Sequence, residues 1–209
     1  MLFTKVFYED KELENERLEL TDKGTLYYLG RNLTLRNCSL VLKVSARNLF
    51  IRQVRFIDCT FEVKQDLKNY RDWIRSSLKG CRFKGSMSGC DFGHWPEYAS
   101  DQEWKEGFIE DCDFSEARLN ACRFMGCDPA TLCFPRWPCF TFLDPIGRAS
   151  ELRSARWPDL FGRVVVQDLH NEPPSTVATT YHAPTIAKQM ETTPEELRAV
   201  IEKFDCIIF

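Results

Sequence analysis

The sequence lacks the short motifs that mark most enzymes. It contains no GxSxG nucleophile elbow, no HExxH metal motif, no glycine-rich phosphate loop and no EF-hand loop. Its three histidines, His94, His170 and His182, are far apart in the chain, so no local pattern indicates a cysteine–histidine pair. We therefore expect a protein that is not an enzyme and that uses no cofactor.

Long apolar runs are also absent. No stretch approaches the roughly 20 apolar residues of a membrane-spanning helix, and the N-terminal sequence MLFTKVFYEDKELENE has no basic region followed by an apolar run. A cytoplasmic location is therefore expected. Membrane association is expected only if Cys206 is lipidated, because the final residues Cys-Ile-Ile-Phe match the C-a-a-X prenylation pattern. The alternative is a buried apolar terminus, since no polybasic run supplies a second anchor.

No two of the ten cysteines have CxxC spacing. A zinc site built from Cys127, Cys133 and Cys139 with one histidine is an alternative that this spacing disfavours. Free cysteine in a reducing compartment behaves as a compact hydrophobic residue. We therefore expect no metal. The cysteines that recur at one position of a repeated pattern are predicted to be buried thiols; they are Cys59, Cys81, Cys90, Cys112, Cys122 and Cys127.

That repeated pattern has a period of five residues. Six consecutive units run from Gly107 to Arg136 and read GFIED, CDFSE, ARLNA, CRFMG, CDPAT and LCFPR. The first residue of each unit is small or apolar, and the third is large and apolar in all but one of them. A period that is neither helical nor strand-like indicates a coil that turns a corner at each unit and buries a continuous core between stacked layers. The sequence therefore predicts an all-β solenoid.

Units in the same register recur upstream, from about Leu33 onward, and the pattern fades after Phe134. The whole pattern resembles that of the pentapeptide-repeat proteins. The resemblance implies a right-handed quadrilateral β-helix with about four units per coil, and a role in binding other macromolecules. The aspartate or asparagine that the family usually carries before the central residue is present at Asp91, Asp113 and Asp128, whereas Arg or Ser often replaces it elsewhere. The chain is thus identified as a degenerate member.

Three regions are predicted around this repeat. Residues 1–29 contain two strand-like runs and are expected to form an N-terminal cap, residues 30–157 the β-helix, and residues 158–209 a C-terminal extension. The extension is expected to end in a helix over 194–204, because Thr193, Pro194 and Glu196 form a capping-box pattern before an apolar stripe. That stripe packs either on the coil or in a second subunit, so a homodimer through this helix is one expectation.

Two insertions are predicted within the β-helix. Residues 63–80 have Leu67, Tyr70, Ile74 and Leu78 at helical spacing, with basic residues on another face, which predicts an inserted amphipathic helix. Residues 93–106 contain Pro96 and show no periodicity, which predicts an inserted loop.

Charge is distributed unevenly along the repeat. Residues 31–84 hold 13 Lys or Arg against 4 Asp or Glu, whereas residues 85–128 hold 3 against 10. Charged rims steer association and tryptophan is enriched at binding hot spots, so both kinds of residue are candidates for contacting a partner. The candidates are Glu110, Asp111, Asp113, Glu116, Trp95, Trp104, Lys68, Arg71 and Arg75. The alternatives are solvated faces, cancellation of the two fields within the molecule, and tryptophans that pack on the coil.

Three functions are consistent with these features. The favoured one is a protein-binding inhibitor of the immunity type, which covers the functional surface of a cognate toxin and does not bind nucleic acid directly. The second is a DNA mimic similar to the quinolone-resistance pentapeptide proteins; it requires a uniformly acidic rod, whereas half of this repeat is basic. The third is an injected bacterial effector anchored through Cys206.

Overall fold

The computed structural model describes residues 4–98 and 107–209. Its strands are mostly parallel and lie in stacked coils, which form a β-solenoid of about four turns with a few helices. Strands that follow one another in the sequence lie on different sides of a coil, and each pairs with the equivalent strand of the next coil. The predicted all-β solenoid is thereby confirmed.

Three parallel sheets form the sides of the solenoid. The first contains β1 (Thr4–Tyr8), β4 (Thr25–Leu29) and β7 (Leu49–Ile51). The second contains β2 (Glu12–Glu14), β5 (Leu33–Arg36), β8 (Val54–Ile57), β10 (Ser77–Lys79) and β13 (Phe108–Glu110). The third contains β3 (Arg17–Leu20), β6 (Ser39–Leu42), β9 (Thr60–Lys68), β11 (Arg82–Ser88) and β14 (Asp113–Asn120).

A fourth, mixed sheet closes one end of the solenoid. In it β12 (Asp91–Gly93) pairs in parallel with β15 (Cys122–Met125). The remaining strands are antiparallel to their neighbours and come from the C-terminal part of the chain: β17 (Thr176–His182), β16 (Cys139–Leu143) and β18 (Ile207–Ile208). Because β17 covers the edge of β15, the growing stack of coils stops there.

The strand register shows that the coils differ in length. Ser39 pairs with Thr60, and Thr60 pairs with Arg82, so these two coils use almost the same length of chain. Arg82 pairs with Asp113, which lies much further along the sequence. The extra residues of this last coil fall between β12 and β13, where residues 93–106 were predicted to be inserted. Of that segment the structure describes a short 3₁₀ helix, Pro96–Tyr98.

The core consists of the inward residues of the repeat. Phe61, Phe83 and Phe114 are fully buried and stack face to face from coil to coil, with ring centroids 4.7 and 4.6 Å apart. Seven cysteines are buried in the solenoid core or at its border, and Cys127 is half-buried. Both positions of the five-residue pattern therefore point inward, as the sequence predicts.

Residues in the left-handed conformation form one corner of the solenoid. Asn15, Asn37, Asp58, Gly80 and Asp111 all have positive φ, and the first four donate their backbone N–H groups to carbonyls of the following coil. Asn, Asp and Gly tolerate this conformation best. A Cβ on Gly80 would lie 2.2 Å from Asp58 Oδ1, so this corner needs glycine above the aspartate.

The predicted inserted helix over 63–80 is wrong. These residues form the end of β9, a short 3₁₀ helix (Asp72–Arg75) and β10, which are ordinary parts of a coil. This coil is almost the same length as the one before it, so nothing of the size of a helix is inserted. Leu67, Tyr70, Ile74 and Leu78 are all buried, but in the interior of a coil. A coil that turns corners places inward residues three to five positions apart, and that spacing resembles one face of a helix.

The segment predicted as an N-terminal cap forms a coil of the solenoid. Its strands β1, β2 and β3 pair in parallel with β4, β5 and β6. The alternation of apolar and polar residues in these strands is the same as in the later coils.

The C-terminal region has a hydrophobic core of its own. It begins at β16 and includes the helices α1 (Ala149–Ser154), α2 (Asp159–Phe161, continued by a π-helical turn, Gly162–Val166), α3 (Ala183–Gln189) and α4 (Pro194–Ile201), and a 3₁₀ turn, Leu169–Asn171. The predicted final helix is present as α4, with both hydrogen bonds of the capping box, but it ends at Ile201 and not at residue 204. Leu197, Val200 and Ile201 pack within this second core. In the described ranges no helix is both long and apolar enough to cross a membrane.

Candidate functional site

The predicted acidic surface is largely neutralised by the coil beneath it. Glu110 binds Lys79 Nζ at 2.7 Å, Asp113 binds Arg82 Nε at 3.3 Å, and Glu116 binds Lys84 Nζ at 2.9 Å. The pKa of Asp113 is lowered: burial alone would raise it, but the hydrogen bonds from Ser115 and the charge of Arg82 outweigh that effect. Asp111 is exposed at the left-handed corner. The acidic and basic fields therefore cancel in part between adjacent coils.

The predicted basic residues also have partners within the chain. Lys68 Nζ lies 3.8 Å from Asp66 Oδ2, and Arg71 Nε lies 3.6 Å from Asp91 Oδ2. Arg75 Nη1 lies 3.2 Å from Asp72 Oδ1. Lys68 and Arg71 remain largely exposed, whereas the side chain of Arg75 is only 20% exposed. These residues do not share the face of a helix, because the segment is part of a coil.

Of the two predicted tryptophan anchors, Trp95 is buried. It packs with Ile74 and Met125, and the Arg123 guanidinium lies over its ring at 5.2 Å from the centroid. Its role is therefore to pack on the coil, the alternative that the sequence also offered. Trp104 lies outside the residues that the structure describes.

An aromatic stripe on the first sheet is the surface feature that the sequence reading missed. Phe7, Tyr28 and Phe50 lie at equivalent positions of β1, β4 and β7, and adjacent rings stack at 4.7 Å with interplanar angles of 13° and 8°. Phe7 is 52% exposed, and the other two are half-buried. The signal was present as the related runs KVFY, LYYL and NLFI at the spacing of one coil, but the five-residue register describes inward residues only.

A shallow cavity of about 440 Å³ lies beside this stripe. Its lining combines the aromatic rings with charged residues at the adjoining corner: Glu9, Tyr28, Leu29, Gly30, Arg31, Phe50, Arg52 and Gln53. The lining is about equally polar and apolar, and aromatic residues with arginine nearby are enriched where proteins bind one another. We call Phe7, Tyr28 and Phe50 the aromatic stripe.

A buried ion-pair cluster joins the solenoid to the C-terminal region. Both oxygens of Asp91, whose side chain is 3% exposed, accept hydrogen bonds from Arg123 at 2.8 and 3.1 Å, and Arg123 also binds Glu172 at 3.1 Å. Burial opposes the charge of the guanidinium, but the two carboxylates outweigh it and raise the pKa of Arg123. The cluster has the geometry of a structural link, since Arg123 binds one carboxylate of the solenoid and one of the C-terminal region, and Arg71 lies 3.6 Å from Asp91.

Cys206 is buried at the start of the last strand. Its carbonyl accepts a hydrogen bond from the Leu143 N–H at 2.8 Å, and Ile207 and Ile208 pair with Phe142 and Thr141 of β16. Burial raises the pKa of the Cys206 thiol. Lipidation at this position would require β18 to separate from β16.

Within residues 4–98 and 107–209, no three His, Cys, Asp or Glu side chains come together as metal ligands. Cys127, Cys133 and Cys139 are free cysteines. No family model, curated protein or solved structure matches the chain.

Proposed function

We propose that this chain is a non-catalytic protein-binding protein, an immunity-type inhibitor that covers the functional surface of a cognate toxin in the cytoplasm. As part of the same proposal, its solenoid is the right-handed quadrilateral β-helix of a degenerate pentapeptide-repeat protein. The parallel coils, the inward phenylalanines and the buried cysteines support this assignment.

The aromatic stripe is the observation that carries the functional proposal. Three stacked rings stand on hydrogen-bonded parallel strands, so little conformational entropy is lost when a partner covers them. Partly exposed aromatic side chains on a rigid scaffold are the usual centre of a protein interface. The candidate carboxylates Glu110, Asp113 and Glu116, being paired with basic residues of the adjacent coil, are assigned to the solenoid itself.

The two alternatives are less well supported by the same geometry. A DNA mimic requires a continuous row of unpaired carboxylates, and here acidic and basic side chains alternate from coil to coil. An anchored effector requires a free terminal cysteine, and Cys206 is buried directly before the paired strand β18, with its carbonyl bonded to the Leu143 N–H. A homodimer through α4 would have to use surfaces other than Leu197, Val200 and Ile201.

The test is to identify the partner and then to remove the stripe. Affinity capture from the native host with mass spectrometry supplies the candidate toxin, and co-expression tests whether the chain protects cells from it. We expect Phe7→Ser with Tyr28→Ser to weaken binding by at least about thirtyfold, because a single hot-spot aromatic contributes about 2 kcal/mol or more.

A matched control is Lys188→Ser with Gln189→Ser, two exposed residues of the C-terminal region. The control is expected to protect cells as the wild type does. Full protection by the stripe variant would refute the stripe as the binding surface. Tight binding to a type II topoisomerase in competition with DNA would replace the proposed function by the mimic.

A further inference from the structure

The two ends of the solenoid differ in which of their edge strands are covered by other parts of the chain. At the C-terminal end, β17 covers the edge of β15 with antiparallel hydrogen bonds and Cys133 forms a bridge to Asp113 of β14, while β13 pairs only with β10 among the described residues. At the N-terminal end, β2 pairs only with β5, and β3 pairs only with β6, among the described residues. One row of backbone N–H and C=O groups on each of these two strands is therefore open, which is a template for another strand.

This open edge is strongly acidic. Residues 9–22 contain seven Asp or Glu and two Lys or Arg. Of the four glutamates on or between β2 and β3, Glu12 is paired with Arg36, and Glu19 with Arg17. Glu14 and Glu16 are exposed.

Ion pairs between adjacent coils show which side chains lie next to a carboxylate in this register. Lys79 faces Glu110 and Lys84 faces Glu116 across one parallel strand pair, and Glu12 binds Arg36 diagonally, since Arg36 lies opposite Glu14 in the register. Every one of these contacts joins an acidic residue on one coil to a basic residue on the next. A strand added to β2 and β3 would continue this pattern if it carried lysine or arginine at alternate positions.

The edge is also fixed in shape before any partner arrives. The left-handed corners that flank β2 are tied to the next coil: Asp10 Oδ1 accepts a hydrogen bond from Asn32 Nδ2 at 2.9 Å, and Asn15 Oδ1 accepts one from Asn37 Nδ2 at 2.6 Å. Pre-organisation of this kind lowers the entropy lost on binding. A second copy of the chain is a poor occupant, because two such edges would bring like charges together.

We propose that the open edge binds an extended, basic segment of a partner protein by strand addition along β2 or β3, which lie on different sides of the coil. Backbone hydrogen bonds supply the affinity, and Glu14 and Glu16 select lysine or arginine side chains. This site is separate from the aromatic stripe and does not depend on the immunity role, so the two proposals can fail independently.

The test uses the full chain and the synthetic peptide acetyl-VKVKVK-amide. Binding is measured by calorimetry, and backbone protection by hydrogen exchange. We expect the peptide to protect amides of β2 or of β3, because one extended peptide can follow only one side of the coil. We also expect Glu14→Lys with Glu16→Lys to weaken binding by about tenfold or more, because close charge pairs couple by about 1.5 kcal/mol or more. The same reversal at Glu191 and Glu195, exposed residues of the C-terminal region, is expected to have little effect.

Two further peptides separate strand addition from charge attraction alone. A version N-methylated at alternate residues keeps the charges but lacks the backbone donors, and we expect it not to bind; acetyl-VEVEVE-amide should also not bind. Equal binding of the N-methylated peptide, or protection confined to other strands, would overturn the proposal. So would the absence of binding at millimolar peptide, or self-association of the chain that Glu14→Lys with Glu16→Lys abolishes.

Discussion

At the scale of single residues, the stacked phenylalanines are the main support of the solenoid. Phe114 is fully buried and stacks on Phe83 at 4.6 Å, with Phe92 and Phe124 against its edges. Arg118, in the same strand, points to solvent. Residues four apart in a regular strand would face the same side, but the register with β11 shifts between Asp113 and Glu116, and this irregularity leaves Phe114 inward and Arg118 outward.

We predict that Phe114→Ala lowers the free energy of unfolding by about 3 to 5 kcal/mol, because it removes buried apolar surface and leaves a cavity between coils. Arg118→Ala is the control and should change it by less than about 0.5 kcal/mol. Denaturant titration measures both. Equal midpoints for the two variants would contradict the inward assignment of Phe114.

The residues that the sequence predicted well are those in the core. The five-residue register placed Cys112, Phe114 and Phe124 inward, because burial selects size and polarity at fixed positions. It could not locate the aromatic stripe, since outward residues are not constrained by the core. It also could not show that Glu110 and Asp113 would be paired, because their partners Lys79 and Arg82 are one full coil away in the chain.

At the scale of elements, helix α4 is defined by its first turn. Thr193 Oγ1 accepts a hydrogen bond from the Glu196 N–H at 3.1 Å, and the Glu196 carboxylate accepts from the Thr193 N–H at 3.0 Å and from the Thr192 hydroxyl at 2.6 Å. The Thr192 hydroxyl and the Thr193 N–H together lower the pKa of Glu196. The hydrogen bonds that the Glu196 carboxylate accepts are therefore strongest when it is ionised.

We predict that Thr193→Ala destabilises the protein by about 1 kcal/mol, the usual effect of losing an N-cap.

Glu196→Gln should destabilise the protein most at neutral pH. Because the pKa of Glu196 is lowered on folding, its contribution is present above the unfolded pKa and is lost as pH falls through the folded value. Thermal denaturation from pH 7 to pH 3 should therefore show the wild type and this variant converging.

Glu195→Gln is the control for this helix, because Glu195 lies in the same turn but makes none of the cap hydrogen bonds. The difference in thermal stability between Glu195→Gln and the wild type should not change with pH in the way that it does for Glu196→Gln. A gap between the wild type and Glu196→Gln that is constant over the whole pH range would contradict the assignment.

Local signals predicted α4 correctly but failed over 63–80. In α4 the cap, the proline and the apolar stripe all depend on neighbours within one or two turns. Over 63–80 the apolar spacing was compatible with a helix and with a coil, and only the pairing of Thr60 with Arg82 distinguishes them. Such a register depends on residues one coil away, so a local pattern could not reveal it.

At the scale of the whole molecule, a strand pair and an ion-pair cluster lie among the contacts that join the two hydrophobic cores. Phe124 and Ala178 belong to the solenoid core, whereas Phe140 and Leu197 belong to the C-terminal core. The pairing of β15 with β17 connects the two regions. Arg123 reinforces this connection, because it binds Asp91 of the solenoid and Glu172 of the C-terminal region.

We predict that Arg123→Met destabilises the protein by about 3 kcal/mol, because it leaves Asp91 buried without its main partner. Adding Asp91→Asn to this variant should recover part of the loss, since the uncompensated charge is then gone. Arg163→Met, which removes an exposed partner of Asp159, should cost less than about 0.5 kcal/mol. Chemical denaturation of all four proteins provides the comparison, and a double variant no more stable than Arg123→Met would contradict this account.

On two sides of a middle coil, the strands pair with the next coil after the same number of residues. The solenoid can therefore be lengthened by duplicating this coil. Arg55 pairs with Ser77 and Thr60 with Arg82, so both sides of this coil repeat after the same length of chain. A second copy of residues 55–76 inserted after residue 76 would repeat a full turn whose ends already match their neighbours, and it would lengthen the solenoid by about 4.8 Å, the spacing of adjacent strands. The sequences at both ends of the solenoid would be unchanged. The number of inserted copies would therefore set the distance between the open acidic edge and the C-terminal region.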